Sequence, residues 1–145
     1  MIPQSSLHFL TLRARAEDPR QKSLVQNVHA LGISSVAAIK VADLLFLRDV
    51  DADQFSMIES IVAEPLLQTV GWNEAPRAGV VVETSLIAGV TDPVANEFLR
   101  IARKMGVGVT DALSGCRYEI EGDPTPTEID LIVRKLLANP VIEHW

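Results

Sequence analysis

An α+β fold, in which one unit is written twice and the two copies form a pseudo-twofold pair, is predicted by three observations. Asp18-Pro19 returns as Asp92-Pro93 and Leu31-Gly32 as Met105-Gly106, both at a step of 74. Ala63-Glu64-Pro65-Leu66-Leu67 returns as Ala138-Asn139-Pro140-Val141-Ile142 at a step of 75, which implies one inserted residue. Between these anchors, apolar residues recur in the same succession of strand-like and helix-like periods.

The first element of each copy is a strand. Leu10, Leu12, Ala14 and Ala16 alternate with Thr11, Arg13 and Arg15, and Val82, Thr84 and Leu86 alternate with Glu83 and Ser85. A helix follows, opened by the Asp-Pro pair: Asp accepts from free first-turn N–H groups, and Pro at the first helical position lacks only an N–H without a partner. Gly32 and Gly106 are the stops. Leu24, Val25, Val28 and Leu31 form the buried face of the first helix, matched by Phe98, Leu99, Ala102 and Met105 in the second copy.

Next comes an extended stretch, 36–48 in the first copy and 109–121 in the second. At a step of 74, Ala42, Leu44 and Phe46 match Cys116, Tyr118 and Ile120 on the inward side, so that Arg117, Glu119 and Glu121 face water. The Ser114-Gly115 step predicts a hairpin here. Each copy closes with a second helix and a short strand. Thr125-Pro126-Thr127-Glu128 is a full capping box, with Asp51 and Gln54 as its counterpart, and Ile129, Ile132, Val133, Leu136 and Leu137 make the last apolar stripe. The closing runs are 66–72 and 141–145. The copies are 1–72 and 80–145, joined by a polar linker at 73–79. The expected architecture is ferredoxin-like, with antiparallel sheets and helices on one face. A unit this small buries a marginal core, so the copies are expected to pack together.

Composition narrows the function. With 13 basic against 19 acidic residues, a net charge of -6 and no Lys/Arg cluster, a nucleic-acid partner lacks its electrostatic footprint. Residues 1–6 hold no charged leader and no window suits a membrane span, so a cytoplasmic location is expected. Cys116 is the only cysteine, which rules out an internal disulfide. It reads as a small core residue.

Other candidates have plain structural readings. His8, His29 and His144 share no helical spacing and have no cysteine partners, which argues against zinc. Asp49, Asp51 and Asp53 mimic the start of a calcium loop, but Gln54 and Ser60 stand where Gly and the closing Glu are needed. Gly106-Val107-Gly108 follows a helix instead of opening one, unlike a phosphate loop. Glu83, Glu119 and Glu121 alternate with apolar residues as on a solvated sheet face. Neither a catalytic set, a cofactor site nor a metal site is predicted. Trp72 and Trp145, each near the end of a copy, either seal the core or anchor a partner.

Three segments in order carry a family resemblance: 89–93 (Gly-Val-Thr-Asp-Pro), 115–120 (Gly-Cys-Arg-Tyr-Glu-Ile) and 136–143 (Leu-Leu-Ala-Asn-Pro-Val-Ile-Glu). In their order and spacing they resemble the PurS family, the small accessory component of phosphoribosylformylglycinamidine synthase (formylglycinamide ribonucleotide amidotransferase). With the weaker first copy, the chain resembles the tandem PurS-like segment at the N-terminus of fused PurL synthetases. It departs from the family at Cys116, where a lysine is common.

The resemblance implies a PurS-like fold and a non-catalytic assembly role in purine biosynthesis. Its implied partners are a PurL synthetase region, in cis or in trans, and a PurQ-type glutaminase. ATP and magnesium would be held by the synthetase, outside this sequence. Arg117, Tyr118, Trp72 and Trp145 are the candidate partner contacts, and further self-association of the paired copies is open. Either a fragment of a longer PurL or a free-standing double PurS is expected. The alternative is a regulatory domain similar to tandem ACT domains, binding a small molecule between the copies.

Overall fold

A computed structural model describes residues 7–77 and 79–145. Residues 1–6, read above for a leader, and Ala78 of the linker lie outside the described residues. The elements are β1 (Leu7–Ala14), α1 (Pro19–Ala30), β2 (Val36–Arg48), α2 (Phe55–Val62), β3 (Gln68–Trp72), β4 (Val80–Leu86), α3 (Pro93–Lys104), β5 (Asp111–Gly122), α4 (Pro126–Ile132) and β6 (Glu143–His144). The order strand, helix, strand, helix, strand therefore occurs twice.

All six strands join in one antiparallel sheet of order β3-β1-β2-β5-β4-β6. Each half contributes three neighbouring strands, and β2 against β5 is the seam. There Asp43 pairs with Cys116, Lys40 with Glu119, and Phe46 with Leu113. Arg15 N donates to the Leu67 carbonyl as Ile87 N does to the Ile142 carbonyl, which matches β1 to β4 at a step of 72 and, through their pairing with β2 and β5, places a pseudo-twofold axis at Asp43 and Cys116. The step from β2 to β5 is 73, not 74. That single residue moves every side chain to the other face. Ala42, Leu44 and Phe46 thus share a face with Arg117 and Glu119, and Cys116, Tyr118 and Ile120 share one with Val41, Asp43 and Leu45. The expected match of Ala42, Leu44 and Phe46 with Cys116, Tyr118 and Ile120 is corrected accordingly.

No hairpin forms at Ser114-Gly115, because β5 runs unbroken from Asp111 to Gly122 and pairs along both edges. Two flanking strands supply more hydrogen bonds than a local turn would.

The helices start as their caps dictate. Asp18 accepts from the Arg20 N–H, and Asp92 from the Ala95 N–H. Gly32 and Gly106, at φ +86 and +76, end α1 and α3 in the left-handed region. The Thr125 and Glu128 capping box forms in full. Asp51 makes no side-chain cap; it precedes a 3₁₀ turn (Ala52–Gln54), and α2 begins only at Phe55.

All four helices cover one face of the sheet, but they group across the halves. Val28 of α1 packs with Ile132, Val133 and Leu137 of α4 and its continuation, over Ile39, Val41, Val82 and Ile120. Ile58 of α2 packs with Phe98 and Ala102 of α3, over Leu10, Leu45 and Leu47. Each core takes its first helix from one half and its second from the other. The linker crosses the opposite face, as it must to carry the chain from β3 past β1, β2 and β5 to β4.

Candidate functional site

The face under the linker is only in part the solvated surface that its alternation predicts: Glu83 is exposed and Glu121 half-buried. Thr11, Arg13, Arg117 and Glu119 are all buried there, Glu119 to 1% exposure. The linker covers them and uses them as anchors. Thr11 Oγ1 donates to Glu74 Oε2 at 3.1 Å, Arg117 Nη1 donates to the Glu74 carbonyl at 2.8 Å, and the Arg77 N–H donates to Glu119 Oε2. Arg117 also pairs with Glu83 at 2.7 Å and lies 5.4 Å from the Phe9 ring centre. Arg13 Nη2 faces Glu119 Oε1 at 2.6 Å. Burial pushes the Glu119 carboxyl up, but the Arg77 N–H and the Arg13 guanidinium outweigh it and hold it below the usual glutamate range.

Arg117 is therefore bound up within the fold at 3% exposure, and Glu119 is a buried anchor. A strand pattern shows alternation but not whether a linker covers its polar side. Only the Arg-Glu complementarity of Arg13, Arg77, Arg117, Glu74, Glu83 and Glu119 hints at the cover.

The remaining candidates are dispersed. Tyr118 is half-buried on the helix face against the core of α1 and α4. Trp72 stacks on Phe55 with ring centres 3.6 Å apart and donates through Nε1 to Glu59 at 2.7 Å. Trp145 is the exposed member of the four, its ring 5.1 Å from the Arg134 guanidinium. Cys116 faces the helices, and burial pushes its thiol up to about 11. His8 bonds Asn73, His29 the Val36 carbonyl and His144 the Ser85 hydroxyl, in three separate places. Asp49 accepts from the Thr110 hydroxyl at 2.7 Å. Between α2 and α3 an open groove of about 740 Å³ runs over Leu12, Ile61, Val62, Val94, Phe98 and Ile101.

The closing segments share one construction. In the first half, Leu67 N and Gln68 N donate to the Glu64 carbonyl, while Glu64 N donates to Gln68 Oε1. In the second, Ile142 N and Glu143 N donate to the Asn139 carbonyl, while Asn139 N donates to Glu143 Oε1. Polar bonds hold both turns, yet each presents aliphatic side chains to water: Leu66 at 84%, Leu67 at 66% and Val141 at 76%. Nothing in the turn itself requires them. Their sequence signal is an aliphatic pair directly after proline, which reads equally well as the start of a buried strand.

No protein-family model matches the chain. It is 37% identical over 71 residues to a protein of Mycobacterium leprae (strain TN) named phosphoribosylformylglycinamidine synthase subunit PurS. The match spans 47% of this chain and 90% of that relative.

Proposed function

The chain belongs to the PurS family, and from that premise we propose that it is a non-catalytic assembly domain of phosphoribosylformylglycinamidine synthase, serving purine biosynthesis. Its partners are a PurL-type synthetase region, in cis or in trans, and a PurQ-type glutaminase, which it bridges. ATP, magnesium and glutamine are handled by those partners. About half of the chain accounts for nearly all of the relative's length, which supports two PurS-like units in tandem, 1–72 and 80–145. A fused pair would then replace a dimer of separate subunits.

The observation that carries the assembly role is the pair of closing turns. Exposed aliphatic side chains on turns already held by polar bonds add nothing to folding and suit burial against another protein. Co-purification of the full chain with a synthetase core and a glutaminase, with glutamine and ADP-magnesium present, tests it. Leu66→Ser with Val141→Ser leaves the melting temperature unchanged and weakens the complex. Absence of any complex, together with glutamine-driven activity that does not depend on this chain, overturns the proposal.

A further inference from the structure

Strands β1 and β2 pair from Leu7 and Arg48 as far as Leu12 and Asp43, then separate, while β1 continues against β3 through Arg13 and Thr69. The gap opens a cleft of about 580 Å³. Gln21 of α1 closes part of it, accepting from the Val41 N–H that β1 no longer reaches. Arg13, Lys40, Thr69 and Glu119 line it.

The pseudo-twofold axis supplies a control. The matching gap in the second half is a cleft of about 300 Å³ lined by Ser85, Leu113, His144 and Phe46. Position by position, Ser85 stands for Arg13, each pairing with the outer strand through His144 and Thr69. Leu113 stands for Lys40 and Phe46 for Glu119, three residues from the axis. The fold thus fills these four positions with a hydroxyl, two apolar residues and an imidazole, and the charges of that cleft, Arg48 and Asp111, are exposed. Two buried charges are not needed there, and a buried ion pair is commonly no more stable than an apolar replacement.

The charged version also leaves donors over. Arg13 Nε is buried without a hydrogen-bond partner, its nearest further carboxylate, Glu74, being 4.0 Å away, and Nη2 meets Glu119 off the angle of a hydrogen bond. Among the described residues Lys40 has no ion pair, and Arg15 spends only Nε, on the Pro65 carbonyl. Arg77 completes four cations around the cleft, against Glu17, Glu119 and Glu121. Glu119 is already neutralised by Arg13. With Arg77 held by Glu74 at 3.2 Å, Arg15 and Lys40 are the cations left over at the cleft, beside Glu17 and Glu121.

We propose that the cleft between β1 and β2 binds a phosphate group, free or as the ester of a small metabolite, through Arg13, Arg15 and Lys40. Guanidinium donors in a partly enclosed site suit a phosphate oxygen better than a surface lysine would. Thr69 and the rim carboxylates limit how far the rest of a ligand extends.

Calorimetric titration of the full chain at low salt, with inorganic phosphate and separately with adenosine monophosphate, tests this. Saturable binding is expected, weakened about tenfold by Lys40→Ala and by Arg15→Ala, both of which alter exposed side chains. Tighter binding of the nucleotide assigns an ester, and equal binding assigns the phosphate alone. Copying the other half, with Arg13→Ser, Lys40→Leu and Glu119→Phe together, is expected to abolish binding while lowering the melting temperature less than Glu119→Ala alone does. No saturable heat from either ligand up to about 10 mM, or unchanged affinity in the Lys40→Ala and Arg15→Ala proteins, overturns the proposal. Binding is measured on the chain alone, so the result is separate from any assembly with a synthetase.

Discussion

Arg13 of the first half and Glu119 of the second meet across the opening between β1 and β2, at 2.6 Å and with both side chains almost wholly buried. Removing one partner leaves the other charge stranded. Glu119→Ala is therefore expected to cost about 3–5 kcal/mol, whereas the apolar replacement of the site costs little. Urea titrations of the single variant and of the triple replacement by Ser, Leu and Phe measure both. Equal losses in the two would contradict this account.

The same pair makes stability depend on pH. The Glu119 carboxyl is held below its ordinary value of 4.5, so folding favours its ionised form. Its contribution is complete above that value and disappears as pH falls through the lower folded-state pKa. Thermal melts of the wild type are expected to fall steeply below about pH 4.5, and those of Glu119→Gln less so over the same range. Parallel curves for the two proteins would remove Glu119 from the acid transition.

Much of this was legible in the chain. Helix starts are local chemistry, so Asp18-Pro19, Asp92-Pro93 and Thr125-Pro126-Thr127-Glu128 mark α1, α3 and α4 directly. Pairing register is not local. A repeat step of 74 read from helix anchors puts Ala42 opposite Cys116, whereas pairing at the seam demands 73. Polar alternation in β5 shows that Arg117 and Glu119 share a face, but the cover over them comes from a linker whose path depends on which strands neighbour which. The cleft beside Arg13 was hidden for the same reason, since only the departure of β1 from β2 creates it.

Asp18 caps α1 and pairs with the Arg20 guanidinium of the same helix at 2.7 Å, whereas Asp92 caps α3 and also holds a strand. It caps α3 at the Ala95 N–H and accepts from both the N–H and the hydroxyl of Ser114 on β5, at 2.7 and 2.8 Å. Asp92→Ala removes a cap and strands a partly buried strand N–H, for a loss of about 2 kcal/mol. Thr125→Ala, which loses a cap alone, is expected to cost about 1 kcal/mol. Chemical denaturation ranks the two, and the reverse order would refute the second role of Asp92.

The Cys116 thiol sits on the pseudo-twofold axis beneath the helices, and burial raises it from 9.0 to about 11. At pH 8 this leaves about a hundredfold less thiolate than an unperturbed thiol would carry. Its reaction with an aromatic disulfide reagent is expected to be slow at neutral pH and to keep accelerating toward pH 11. A plateau near pH 9 would show a solvated thiol instead.

The shared cores lead to a prediction about the halves themselves. If each were an independent domain, a break in the linker would separate two folded pieces. Here the seam joins β2 to β5 from Val36 and Gly122 to Arg48 and Asp111, and each helix layer mixes the halves. Alone, 1–72 would expose the inner edge of β2 and the apolar residues that α3 and α4 cover; 80–145 would expose those of α1 and α2. Neither piece is expected to give a cooperative melt by itself. Mixed in equal amounts they are expected to recover one transition with a concentration-dependent midpoint, because association then replaces the covalent link. The recovered pair still lacks the linker's grip on Glu119 and Arg117 through Arg77 and Glu74, so it should melt below the intact chain. Two independent transitions in the separate pieces, unchanged on mixing, would mean that the seam is not what holds the fold together.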